Sequence, residues 1–371
     1  MKFVINKRDI RNVLGKIQGL TGRKTNLAIT DNVLIQATPS SIKIVATDLE
    51  TGFEGEYPAS VESEGTIAIN ARKLYEIIRE FPAEEVRFHE IENRWIEIGN
   101  DNVEYHIVGM NPEDFPDNPA IEDITFFEVE PYALSRMIER TVFIVGAVDD
   151  TRAHIEGIFF EVSKTEDQKV LRMVSTDGSR LSAADYPFEG EDPALASGVL
   201  IPKKGLHEVI KFLDTDEPAQ IGLKDNHFVV RKGSENITIR LLEGEFPNYQ
   251  ELLMQRDGSE IRLDRQAFSM MLKRMSIFSS DQYKGVIFSY DQNRLLVRTT
   301  NPDIGESKEE MEIAFEDEAI EAAFNPRYFI DTLGLIDGDT VLVHISNGEM
   351  PCLVRGENDT TFVSVIMPMR I

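Results

Sequence analysis

The chain has 371 residues, 42% of them hydrophobic and 28% charged, with a formal net charge of -26. That length exceeds the size at which one hydrophobic core is usual, which implies two or three domains. A single cysteine, Cys352, rules out an intrachain disulfide framework and a cysteine-based zinc site. The acidity argues against nucleic acid unless lysine and arginine are segregated locally.

Met1-Lys2-Phe3-Val4-Ile5-Asn6-Lys7-Arg8 turns polar within a few residues, unlike a secretory signal, and no apolar run approaches the roughly 20 residues of a membrane span. A cytoplasmic protein without membrane contact is expected.

Ile10, Val13, Leu14 and Ile17 recur at i, i+3, i+4 and i+7, which predicts a short helix burying one face. The alternating runs Val33–Ala37 and Ser41–Ala46 predict antiparallel strands, the second ending in Thr47-Asp48-Leu49-Glu50. Leu74, Ile77, Ile78 and Phe81 predict another helix, with Asn70 as its cap, and Trp95–Ile98 another strand. Glu113-Asp114-Phe115-Pro116-Asp117-Asn118 closes this block.

The same order then returns. Leu134, Met137, Ile138 and Thr141 predict a helix, and Val170–Val174 a strand ending in Ser175-Thr176-Asp177-Gly178-Ser179-Arg180-Leu181. Leu206, Val209, Ile210 and Leu213 give the next helix, Asn236–Leu241 a strand, and Gly244-Glu245-Phe246-Pro247-Asn248-Tyr249 a second closing loop. A third round brings Phe268, Met271, Leu272 and Met275, the strand end Val297–Asp303, and Phe329, Thr332, Leu333 and Ile336. It finishes in the tail Phe362–Ile371.

Equivalent helices lie 124 and 134 residues apart in one series and 132 and 123 in the other. That period implies an α+β protein of three repeated modules, each an antiparallel sheet with two short helices. The modules are expected at 1-122, 123-252 and 253-371, with linkers near 117-124 and 247-259. The three strand ends read as corners of one kind.

Catalytic signatures are missing. No Gly-x-Gly-x-x-Gly or Walker A loop is present, and Thr21-Gly22-Arg23-Lys24-Thr25-Asn26 lacks the leading glycine of a phosphate cradle. His89, His106, His154, His207, His227 and His344 have no metal-ligand spacing, so no metal or cofactor is expected. Asp149 and Asp150 with His154 would be the groups of an acidic hydrolase, but adjacent side chains on an extended segment diverge. Cys352 sits in a strand-like run, as a packed or pocket-lining thiol does.

Charge is segregated. The six helical segments carry +8 while everything else carries -34. Lysine and arginine are good helix formers whose stems cover apolar surface, which accounts for such a bias by itself. With the repetition, it also suits helices from every module facing a polyanion, and the absence of base-reading motifs points to backbone contact.

Met1-Lys2-Phe3, Ala46–Glu50, Ala71-Arg72-Lys73, Val174–Leu181, Pro202-Lys203-Lys204-Gly205, Glu245–Tyr249 and Val365-Ile366-Met367-Pro368-Met369-Arg370-Ile371 together resemble the bacterial DNA polymerase III β sliding clamps over essentially the whole chain. The resemblance implies a non-catalytic homodimeric ring, closed head to tail around duplex DNA without sequence specificity. It also implies a clamp loader and a polymerase docking through short peptides.

On the family pattern, the peptide pocket between the central and C-terminal modules takes Ile155, Thr176, Gly178, Arg180, Leu181 and Pro247. Asn325, Tyr328, Met350 and the tail Val365, Ile366, Met367, Pro368, Met369 and Arg370 complete it. Ser179 and Glu251 stand where larger polar or aromatic and basic residues are common, and the resemblance offers Tyr283 as an aromatic gate. DNA-facing positions are Arg23, Arg72, Arg152 and Lys203, then Lys204 and His154, while Ala153 lacks an aromatic ring that some relatives have. The dimer interface takes Lys73, Tyr105, Ile277 and Phe278, with Glu306, Glu309 and Glu310 opposing the basic side. The other reading of the same acidity and tail is a monomeric scaffold that binds peptides without DNA.

Overall fold

The structure is a computed structural model of residues 1–371. It describes all of them except 23–26, 119–122, 147–149, 151, 165–167, 189–197, 214–216, 255–257, 280–284 and 371. The expected loop residue Arg23, the acid Asp149 and the aromatic Tyr283 therefore lie outside the described residues.

The helices are α1 (Lys7–Thr21), α2 (Ala71–Glu80), α3 (Pro131–Val142), α4 (Ala153–Glu156), α5 (Lys203–Phe212), α6 (Gln250–Leu253), α7 (Arg265–Ser276) and α8 (Pro326–Leu333). Six are those read from the apolar spacing; the single turns α4 and α6 are too short to carry a periodic signal. The expected apolar faces are buried in α1 (Ile10, Val13, Leu14, Ile17), α3 (Leu134, Met137, Ile138) and α7 (Phe268, Met271, Leu272, Met275). Four helices start directly after a strand on a side-chain cap. Asn6, Asn70, Asp264 and Asn325 accept from the backbone N–H of Arg8, Lys73, Ala267 and Arg327 at 2.8, 3.0, 2.7 and 3.0 Å. In α3, Glu130 accepts from Tyr132 and Ala133 instead. Each such cap contributes about 1 kcal/mol. The α5 start, Pro202, has no capping side chain.

Among the described residues the strands form four sheets, and the pairs with a resolved register are antiparallel. The chain packs as two compact units, chiefly Met1–Ser135 with Ile201–Leu241, and Arg136–Glu191 with Leu242–Ile371. The first unit holds a five-stranded sheet, ordered Ser60–Ser63, Lys2–Asn6, Glu85–Glu90, Trp95–Gly99, Glu104–Val108. It also holds an eight-stranded sheet, in which Glu235–Arg240 pairs with Thr51–Pro58. In the second unit an eight-stranded sheet joins Arg180–Pro187 to Phe362–Ile366, and a four-stranded sheet begins on the edge strand Gly305–Glu312. Strands from successive thirds of the sequence thus share one sheet, because the alternating apolar face of each strand is completed by its neighbour.

The core is built from these inward faces. Phe3 stacks on Phe88 at 4.7 Å in the first unit, and Phe268, Phe288, Phe324 and Phe329 form an aromatic cluster in the second. Burying each such ring contributes roughly 2–3 kcal/mol. Cys352 is fully buried in its strand, and burial pushes its thiol pKa up, which suits packing and not nucleophilic chemistry.

Two of the three strand ends are corners of one kind and the third is not. Thr47 opposes Gly52 and Thr176 opposes Leu181, but Asn301 opposes Gly305, one residue tighter. The first two corners close through the backbone N–H of Asp48 to Thr51 O (3.1 Å) and of Asp177 to Arg180 O (3.3 Å). Pro302, which follows Asn301, has no N–H to give.

Candidate peptide pocket and nucleic-acid face

The corner at Thr176 is locked by its own side chains. Thr176 Oγ1 accepts from Gly178 N (3.0 Å) and donates to Arg180 O (2.8 Å), while Asp177 Oδ1 accepts from Ser179 N (2.9 Å) and Arg180 N (3.0 Å). Gly178 sits at φ +86° with nothing near where a Cβ would be, so glycine serves the backbone conformation and not a close approach.

Arg180 is buried and fully used. It reaches Asp177 at 3.0 Å and Asp331 at 2.7 Å, and its guanidinium lies 4.5 Å from the Tyr328 ring centroid and 5.2 Å from that of Phe143. The tail docks against this corner: Arg180 opposes Ile366, Leu181 opposes Val365, and Met367 N donates to Ser179 O at 3.0 Å. Met369 N donates to Ala323 O at 2.7 Å, which fixes the tail beyond Pro368. The structure thus brings together Thr176, Gly178, Arg180, Leu181, Tyr328, Val365, Ile366 and Met367. Asn325 is spent as the cap of α8, Ile155 is buried in α4, and Pro247 and Arg370 are exposed.

Beside the tail lies a cavity of about 240 Å³ lined by Leu252, Met254, Met350, Pro351, Leu353 and Met367, with Glu251, His344, Ser346 and Glu349 among them. Met350 and Met367 were expected there. Leu252, Met254, His344, Glu349 and Leu353 were not, because they come from a one-turn helix and its end, two strands and a turn whose pairing no local pattern reveals. The wall behind is packed with aromatic rings. Tyr249 packs with Leu181, Leu353 and Val365, its hydroxyl donates to Glu161, and Phe246 stacks on Phe159 at 5.0 Å. Burial, then the Glu161 carboxylate, raise the Tyr249 pKa, so the phenol stays protonated at neutral pH.

The basic positions divide sharply. Arg72 is 80% exposed on α2 with one exposed partner, Glu76, at 3.3 Å. Arg152 is also exposed, but binds Asp150 at 2.6 Å; its hydrogen bond holds the Asp150 carboxyl down at about 2. Asp150 is therefore ionised at neutral pH and paired with an arginine. His154 is half-buried in α4. Lys204 pairs with Asp48 (3.0 Å) and Glu50 (2.8 Å). Lys203 corrects the sequence expectation: it is only 9% exposed and already engaged, because the first turn of α5 packs its stem inward. Arg8 and Arg11 on α1 are exposed cations that motif matching passed over; the count of charge by helix already contained them.

At the expected ends, Ile277 is exposed and Phe278 half-buried after α7, Lys73 is exposed, and Tyr105 lies near Phe81. Glu309 is bound by Arg274, whose hydrogen bond lowers the carboxylate pKa, and Glu306 and Glu310 are exposed on the same strand. Among the described residues one group of possible metal ligands converges, Glu97, Glu104 and His106 within 4.8 Å. Arg87 and the His106–Glu104 contact account for it as a surface charge cluster. No helix among the described residues is long and apolar enough to cross a membrane.

Three family models match in order: the N-terminal, central and C-terminal domains of the DNA polymerase III beta subunit, over residues 1–119, 128–248 and 251–370. Over its full length the chain is 29% identical to the beta sliding clamp of Vibrio cholerae, covering 100% of that protein. It is 27% identical to that of Chlamydia muridarum, covering 99%. Among solved structures, the sliding clamp (DNA polymerase III subunit beta) of Bartonella birtlesii bound to griselimycin superposes with a TM-score of 0.92 at 27% identity, with all of both chains covered. Matches to three successive domains of one subunit, in order and from end to end, place this chain in the bacterial DNA polymerase III β subunit family, the β sliding clamps.

Proposed function

We infer that this chain is a replication clamp: two copies close head to tail around duplex DNA and tether the polymerase, with no catalytic step of their own. One observation carries the reading beyond family membership. The corner Thr176–Leu181 is joined by backbone pairing to the C-terminal tail, beside an apolar cavity of about 240 Å³. A cavity walled by Met350, Met367, Leu252 and Leu353 suits apolar anchors of a short peptide, since thioether side chains adapt to differing shapes. Polymerase and clamp-loader peptides are the occupants, and the tail residues Val365 to Arg370 are part of the dock.

The modules are 1–122, 123–252 and 253–371, and the ring closes where Glu104–Val108 meets the edge strand Gly305–Glu312 of a second copy. Edge strands offer unpaired backbone groups, and an antiparallel match satisfies them. Lys73, Tyr105, Ile277, Phe278, Glu306, Glu309 and Glu310 flank that seam. Arg72 and Arg152 contact phosphates, with Lys204 a lesser contributor because it must leave Asp48 and Glu50. Replication places the protein in the cytoplasm.

Retention on nicked circular DNA against linear DNA, after loader treatment, tests the reading. Slow loss from circles and fast loss from linear ends is expected; equally fast loss from both rules out encirclement. Replacing Arg72 and Arg152 by glutamate flattens the dependence of DNA contact on salt by about two units of slope if both neutralise phosphates. An unchanged slope removes them from the DNA face.

A further inference from the structure

The cavity beside the tail is apolar in its walls and acidic at its polar positions. Among the described residues no lysine or arginine lines it, whereas Glu251 and Glu349 both do. Both carboxylates are exposed and neither has an ion pair among the described residues. Asn347 holds the turn that presents one of them, accepting from Glu349 N at 2.9 Å and Met350 N at 3.0 Å.

A second, independent feature points the same way. His344 lines the cavity, is 8% exposed, and its Nε2 has no hydrogen-bond partner among the described residues. A buried polar atom left unmatched costs about 1–3 kcal/mol, so a ligand that supplies a donor there binds with that cost removed. Ser346 adds a hydroxyl at the same wall.

Resting on the peptide-docking reading above, we propose that this pocket selects partner peptides in which a cationic side chain, arginine above lysine, flanks the apolar anchor. The anchor fills the slot between Leu252, Leu353, Met350 and Met367. The guanidinium donates to His344 Nε2 and to the carboxylates of Glu251 and Glu349. Arginine is favoured because its five donors form a fixed fork and its charge is weakly hydrated, so it spans an imidazole and two carboxylates at less desolvation cost than an ammonium. Peptides with an acidic residue at that place meet two like charges and leave His344 Nε2 unmatched. The pocket therefore discriminates by repulsion as well as attraction.

The test uses the full-length chain and two fluorescein-labelled hexapeptides with the same leucine and phenylalanine anchors, one carrying arginine beside them and its twin carrying glutamate. Fluorescence polarisation at low salt is expected to show the arginine peptide binding about tenfold tighter, the scale of one charge-assisted hydrogen bond. The Glu251→Gln, Glu349→Gln double variant, both exposed sites that leave the fold intact, narrows the gap to about twofold without weakening the glutamate twin. His344→Leu weakens the arginine peptide selectively, and His344→Gln, which keeps an acceptor, restores part of it.

Equal affinities for the two peptides, or preference for glutamate, overturn the cationic selection while leaving peptide docking in place. Binding of neither peptide by the folded chain, or binding indifferent to deletion of Met367 to Ile371, overturns the docking reading itself and this proposal with it.

Discussion

The corners at Thr47–Thr51 and Thr176–Arg180 share a backbone and differ in what is built on it. Thr47 Oγ1 accepts from Leu49 N and donates to Thr51 O, both at 3.0 Å, while Asp48 Oδ1 accepts from Glu50 N (3.1 Å) and Thr51 N (2.8 Å). Those are the bonds of Thr176 and Asp177, atom for atom. Leu49 and Gly178 both have positive φ, +78° and +86°. Each corner even faces a Phe-Pro loop over a small apolar cluster: Phe115 covers Leu34 and Val45, and Phe246 packs where Val174 and Leu181 meet.

The first corner, however, opens on polar grooves. One of about 180 Å³ is lined by Thr47, Glu50, His227, Thr238 and Arg240, and a neighbour of about 540 Å³ by Gln36, Lys43, Glu54 and Asp117. The second corner adjoins a cavity of methionine and leucine. One repeated corner therefore stands beside polar grooves in one unit and beside an apolar cavity in the other. The difference lies in the residue after the turn and in the strand laid beside it: Thr51 with Glu235–Arg240 at the first, Arg180 with the C-terminal tail at the second.

The largest expected contrast comes from the cations. Arg180→Ala leaves Asp177 buried without its partner and strips the face of Tyr328, at a cost of about 3 kcal/mol. Lys204→Ala removes the cation that answers Asp48, but that lysine is half-exposed and the loss is about 1 kcal/mol. Hydrogen exchange resolved by peptide reads each corner separately, as lost protection in 169–187 or in 41–58. Similar losses at both corners would mean that Arg180 does no more than Lys204.

Next come the aspartates. Asp48→Ala and Asp177→Ala each remove one carboxylate oxygen that accepts from two backbone N–H groups, worth about 2 kcal/mol in either corner. Asp177→Ala also takes a partner from the buried Arg180, whereas Asp48→Ala frees a half-exposed lysine, so the Asp177→Ala denaturant midpoint should fall further, by about 1 kcal/mol in stability; equal shifts would mean that the buried ion pair adds nothing to the shared bonds.

The sequence made the corners legible because threonine and aspartate act within four residues of themselves. It misled at the third, where Thr-Thr-Asn looks alike but Pro302 denies the closing hydrogen bond. The helices were legible for the same reason of locality: a face at 3.6-residue spacing and an Asn or Asp cap are both read from adjacent positions. The cavity was half visible. Met350 and Met367 were found through the family pattern, whereas His344 and Glu349 reach it through strand pairing and a turn set by Asn347. Lys203 shows the opposite failure, since counting it as a helix charge says nothing of whether its stem points inward.

The smallest effect is the sharpest test of equivalence, because it should change sign. Gly178→Leu forces a branched side chain to φ +86°; the space for its Cβ is open, so the cost is conformational alone, about 1 kcal/mol. Leu49→Gly relieves the matching strain in the first unit. Glycine's greater freedom in the unfolded chain offsets part of that relief, so the gain is only about 0.5 kcal/mol. Urea unfolding of the two variants should move the midpoints in opposite directions. A loss of stability in both would mean that Leu49 owes its place to packing at its half-exposed surface and not to tolerance of the turn, and the two corners would then be alike in hydrogen bonds but not in strain.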